Sequence, residues 1–257
     1  MMRFISRYAW AAASFLFWCA IAILLVLSSG AHALFETRDE RLRSVKTVGI
    51  VSAVGDQFIL ARAGLTGLDN SSRHVPIASW GLDDLIVREV AKALSTRFRV
   101  QAVTYPRAAF ATMQDSAIPA VNLVRDDPFR TLVRTEVSPQ GLDAYIVITK
   151  AKANFGGSNR KVEGMGLITY STVLESFSLL HALYEIRVVD GRAFDIIERL
   201  PAGPSDAASS VRLAGPSLVI DGKVDEPDET LRRAIVELLS RSLPSTLSDL
   251  HLVDHTR

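Results

Sequence analysis

The chain is poor in the residues that staple, ligate or attack. Its single cysteine, Cys19, lies in an apolar stretch near the N-terminus. The remainder has no thiol, which excludes a disulfide framework, a cysteine-ligated zinc and a cysteine nucleophile there. Histidine is scarce too, with five in 257 residues. There is no G-x-S-x-G elbow, so the serines carry no nucleophile signature. There is no Walker lysine, and Gly164-x-Gly166 and Gly156-Gly157 are too sparse to cradle a phosphate. An excess of charge is also lacking. Formal net charge is +1, and the bases include Arg3 and Arg7 at the N-terminus. A near-neutral body lacks the basic footprint of non-specific nucleic-acid binding, so no nucleic-acid partner is expected. No 20–50-residue repeat is found.

What is present begins with a long apolar run. Arg3 and Arg7 precede Ala9–Leu27, which is interrupted only by Ser14. Small and polar residues follow, ending in Ala31-His32-Ala33. This is the order of a secretory signal peptide, with a cut after Ala33. As a helix the run would be roughly 28 Å long, enough to span the hydrocarbon core as an uncleaved anchor. Both readings stay open, and both place the body outside the cytoplasmic membrane, periplasmic or anchored. Phe17-Trp18 before Cys19 leaves no small-residue lipidation site.

The domain reading is a leader over 1–33, a charged spacer over 34–44, and one α/β domain over 45–257. Apolar residues make up 48% of the chain, so a buried core is expected. Val45–Val54 reads as a buried strand, and Gly55-Asp56 as a hairpin turn into Gln57–Ala63. Gly64–Arg73 has loop composition, and His74–Ile77, holding Pro76, suits a short edge strand. Leu82, Leu85, Ile86, Val90, Ala93 and Leu94 predict a helix over Leu82–Arg97, with Asp83 and Asp84 in its first turn. Phe98–Tyr105 alternates as a strand. A helix Arg107–Gln114, a strand Pro119–Val124, and a helix capped at Asp127-Pro128 and running to Val137 follow. Strands are expected at Ala144–Thr149, Val162–Tyr170 and Leu179–Val189, with an Asp190-Gly191 hairpin returning through Phe194–Glu198. Leu200–Pro216 reads as a linker or mobile loop, and Glu229–Leu243 as a helix ended by Pro244, with Thr246–Leu250 open to one added turn. The fold class is α/β (α+β), a mixed, mostly antiparallel sheet with packed helices.

Candidate chemistry is thin. His251 and His255, with Asp254 between them, would share a helix face at i, i+4, as a metal requires. They sit at the chain terminus without the metalloprotease glutamate, and a solvated tail is the preferred reading. His74 and His181 have no orienting partner in sequence. Asp83-Asp84 and Asp126-Asp127 are explained by helix starts. Trp80 and Tyr105 could line a groove, with core packing the simpler role. No catalytic, cofactor-binding or metal residue is therefore assigned.

VKTVGIVSAV, DDLIVREVAKAL, FRVQAV and VVDGRAFDII occur in that order. This pattern resembles bacterial envelope α/β modules: the curli-secretion lipoprotein, the penicillin-binding-protein activators and the N-terminal domain of the Tol-Pal propeller protein. It covers most of Val45–Glu198 and departs from them in lacking the lipidation cysteine. The resemblance implies a binding or assembly role among envelope proteins or cell-wall components. The leading expectation is a non-enzymatic envelope module. The alternatives are a periplasmic enzyme whose residues converge only in the fold, and a membrane-tethered structural subunit.

Overall fold

A computed structural model of the chain describes residues 38–63, 70–113, 128–156, 161–171, 176–206, 210–220 and 224–253. The leader, the strand expected at Pro119–Val124 and the Asp126-Asp127 cap lie outside these residues. The chain divides into two units, 1–44 and 45–257. Of the first, helix α1 (Arg38–Ser44) is described, with Asp39 and Glu40 in its first turn, where the helix dipole favours them.

The second unit contains β1 (Thr47–Ala53), β2 (Gln57–Ala63), β3 (Ser71–Pro76), α2 (Leu82–Leu94), β4 (Arg99–Gln101), α3 (Arg107–Ala111) and α4 (Pro128–Glu136). It continues with β5 (Ala144–Lys150), β6 (Lys152–Asn154), β7 (Lys161–Glu163), β8 (Met165–Ser171), β9 (Ser176–Ala182), β10 (Tyr184–Asp190), β11 (Ile196–Pro201), β12 (Ser217–Ile220) and α5 (Glu229–Asp249). Among the described residues the expected single sheet is instead two large sheets, each five-stranded and mixed. The first runs β11-β10-β5-β1-β4 and the second β12-β9-β8-β2-β3. Strands β6 and β7 form a separate ribbon. Antiparallel pairs predominate, but β1 lies parallel to both β4 and β5, and β2 lies parallel to β8.

Five chain passages join the sheets, and two of them correct the sequence reading. Gly55-Asp56 does not close a hairpin: β1 stays in the first sheet and β2 enters the second. The carboxylate of Asp83, buried at the start of α2, holds this corner. It accepts from Ser52 Oγ at 2.7 Å, Val54 N at 2.8 Å and Gly55 N at 3.3 Å. A chain tied there turns aside instead of folding back. The second of these two is Leu179–Val189, expected as one strand. It breaks at Leu183 into β9 and β10, one in each sheet.

Period-two alternation gives each sheet two faces. On one face of the first sheet, Val51, Tyr145, Val147 and Val189 pack with Phe110, Phe129, Val133 and Val137 from α3, α4 and the turn after α4. On the other side lie α2, through Leu82, Ile86, Val90 and Leu94, and α5. Tyr184 projects from β10 to α5, and its hydroxyl donates to Ser242 Oγ at 2.9 Å. Burial pushes this phenol up to about 12. Helix α5 also reaches β9, so one helix spans both sheets.

Pro244 does not end α5, which continues to Asp249. An interior proline costs about 3 kcal/mol or more. The residues beyond it include Leu247, Leu250 and Leu252, each about 1% exposed. Burying three such side chains contributes roughly 1.5–3 kcal/mol apiece, enough to outweigh the proline. Val162–Tyr170 is also not one strand. Gly164, at φ 58°, separates β7 from β8. Within the Pro/Gly-rich 200–216 stretch, Ala202 and Leu213 are buried and Leu213 bridges Phe155.

Candidate functional site

Three polar groupings among the described residues bear on a functional site. The first lies within the first sheet. Arg187 and Glu185 alternate on β10 and form an ion pair, both nearly inaccessible. Arg187 Nη1 donates to Thr149 Oγ1 at 2.7 Å, and its guanidinium lies 4.3 Å from the centre of the Phe129 ring. Arg199 adds a longer contact to Glu185, 3.7 Å. Charge here is matched internally, which suits a buried structural ion pair.

The second is His181, which is fully buried in β9. Its Nδ1 faces the Gly164 carbonyl at 3.0 Å and so carries the proton. Nε2 is then a bare acceptor, with no partner among the described residues. Burial holds the imidazole down at about 4, against an ordinary 6.5. Its ring lies over Gly166 of β8, where a Cβ would meet Cε1 and Nε2 at 2.9 Å. That close approach explains Gly166, and Gly164 supplies a positive-φ turn. Neither glycine forms an anion loop.

The third place is open to solvent. A cleft of about 400 Å³ lies between the β2–β3 edge and the β6–β7 ribbon. Ile59, Ala61 and Val162 give it an apolar floor. Ser72, His74, Lys152, Lys161 and Glu163 form its polar rim. Lys152 pairs with Glu163 at 3.3 Å, and His74 Nδ1 donates to Gln57 Oε1 at 2.9 Å. Lys161 is exposed and has no carboxylate partner among the described residues. On the opposite face of the same edge a second cleft, about 220 Å³, is lined by Arg62 and Arg73. There the chain supplies its own anions: Arg62 reaches Asp225 at 2.8 Å and Arg73 reaches Glu226 at 2.7 Å.

The cleft borders an exposed strand edge. Strand β3 ends the second sheet, and Ser71 to His74 and Pro76 are exposed. His74 and His181 prove to share one cross-strand row, through Ile59 and Gly166. Neither hydrogen-bonds a carboxylate among the described residues. His251 lies beyond α5 at φ 55°, so it is not on a helix face, and Asp254 and His255 lie outside the described residues. No cluster of metal-ligating side chains occurs among the described residues. Trp80 packs on Phe58, ring centres 5.5 Å apart. The Tyr105 hydroxyl takes the place of a strand neighbour, bonding the amide and carbonyl of Ser52 at 3.0 and 3.1 Å. Lys152 and Lys161 were not singled out by sequence, since nothing local marks two lysines flanking a turn as a cleft rim.

No family model matches the sequence, and no curated protein matches it. Among solved structures the chain is distantly similar to three bacterial proteins. A DUF330-type protein of Xanthomonas campestris shares 9% identity over 81% of this chain and 84% of its own, with a TM-score of 0.32. A putative neuraminyllactose-binding hemagglutinin homolog of Helicobacter pylori shares 8% over 80% and 83%, with a TM-score of 0.34. A lipoprotein of Neisseria meningitidis shares 14% over 78% and 99%, with a TM-score of 0.26.

Proposed function

We propose that the protein is a binding or assembly module of the bacterial cell envelope that engages its partner at the β2–β3 cleft. The observation that carries this reading is the pairing of an apolar floor with an unbalanced cationic rim beside an exposed sheet edge. Small polar rims over apolar floors orient ligands, and open edges recruit chains. Delivery outside the cytoplasm rests on Arg3, Arg7 and the Ala9–Leu27 run.

The test uses the full chain in cells, with a photo-crosslinking residue at Ser72 and, as a control, at Glu198 on β11. The expected result is an envelope-fraction protein crosslinked to one defined partner from position 72 and not from 198, with capture lost in Lys161→Glu. A cytosolic protein, or capture indifferent to Lys161→Glu, would overturn the reading.

A further inference from the structure

The register of β3 sharpens what its partner must look like. Ile77 N donates to Asp56 O at 3.1 Å, so residues 56 and 77 are a hydrogen-bonded antiparallel pair. Such pairs alternate with non-bonded ones along an antiparallel ladder. In the observed register the bonded pairs are therefore Phe58 with Val75, Leu60 with Arg73 and Arg62 with Ser71. Ser72 and His74 fall at the alternate positions, where amide and carbonyl point away from β2. The side chains of these two residues line the cleft. One strand thus offers backbone hydrogen bonds outward and directs the same residues' side chains to the cationic rim.

The occupant follows from charge. Arg62 and Arg73, on the far face, are matched by Asp225 and Glu226 of this chain. Lys161, on the cleft face, has no such match among the described residues, and Glu163 is already engaged by Lys152. A second copy of β3 would bring no acid, since Ser71–Pro76 reads SSRHVP, and would set Arg73 near its own equivalent. Pro76 further limits how far such a pairing could extend.

We propose that the β3 edge takes up an extended acidic segment of a partner protein as a sixth strand of the second sheet. The added strand would lie about 4.8 Å beyond β3 and bond to Ser72 and His74. Its alternate side chains would project over the cleft, with carboxylates at Lys161. The proposal rests on the binding-module reading and names its partner's chemistry. The two fail separately: a cytosolic location sinks the envelope reading alone, and the peptide test below sinks strand addition alone.

The probe is a blocked Val-Glu alternating hexapeptide, added at roughly millimolar concentration to the full-length protein. The readout is amide exchange at Ser72 and His74. The expected result is exchange slowed by about tenfold at both amides, with the effect lost for a Val-Lys peptide and for a backbone N-methylated Val-Glu peptide. Lys161→Glu, an exposed change, should reverse the preference between the two charges. No slowing, equal slowing by the Val-Lys or N-methylated peptide, or slowing by phosphatidylglycerol vesicles without the acidic peptide would each overturn it. So would protection that rises with protein concentration alone, which would identify a second copy as the occupant.

Discussion

His181 should make the stability of this protein fall in mild acid. In the folded chain its Nδ1–H is committed to Gly164 O, and a proton added at Nε2 would find no acceptor among the described residues. Its ionisation is held down at about 4, mainly by burial, from an ordinary 6.5. Between those values the unfolded chain binds the proton and the folded chain does not. Stability is thus fully present above pH 6.5, declines as pH falls, and levels off below pH 4. The full loss is about 3 kcal/mol, of which about 2 kcal/mol is spent between pH 7 and pH 5. Urea unfolding at those two pH values, followed by tryptophan fluorescence, measures it. The comparison is with His181→Leu and His181→Gln, neither of which titrates. Each variant loses stability at pH 7, because the bond to Gly164 or the packing over Gly166 changes. Only the difference between the two pH values matters, and it should shrink by about 2 kcal/mol in both variants. An unchanged pH dependence in both would refute the reasoning, as would an imidazole titrating near 6.5 in the folded protein.

Three further perturbations follow from the packing. Gly166→Ala would place a Cβ 2.5 Å from Ile59 O, so it should destabilise by about 1–3 kcal/mol. Adding His181→Ala should not restore the loss, because the backbone clash remains; recovery on denaturant titration would show that the ring alone set the constraint. Asp83→Ala strips the corner of its acceptor and leaves Ser52 Oγ and the Val54 amide unsatisfied, costing about 2–4 kcal/mol by urea unfolding. A loss under 1 kcal/mol, within about what a single exposed bond contributes, would mean the corner holds without it. Arg187→Ala leaves Glu185 buried without its ion-pair partner on β10, and should cost about 3–5 kcal/mol. The double change Arg187→Met with Glu185→Leu should be milder than the single one, and the reverse order would contradict the internal-pair reading.

Local signals carried the amphipathic helix at Leu82–Leu94, the buried strand at Ala144–Lys150 and the Asp190-Gly191 hairpin, because each is decided by residues near in sequence. Sheet membership is not decided locally. Gly55-Asp56 carries the same turn signal whether the chain reverses or turns a corner, and what selects the corner is Asp83, about thirty residues on. Ala182-Leu183-Tyr184 contains no glycine or proline, so nothing local announces that β9 ends and β10 begins in another sheet. Strand β12 has no local signature, because four residues after a Pro/Gly-rich stretch become a strand only by pairing with β9. The site was half legible. His74 stood out as an isolated histidine on an edge strand, but its cleft neighbours Lys152, Lys161 and Glu163 arrive from a ribbon some eighty residues away.

Docking at β3 requires that its edge be open in the free protein, and residue-resolved amide exchange measures that directly. Arg73 and Val75 should be protected by their bonds to β2, while Ser72 and His74 should exchange at nearly unprotected rates. Slow exchange at Ser72 and His74 in the free chain would show the edge already covered, and would contradict the docking role assigned to it.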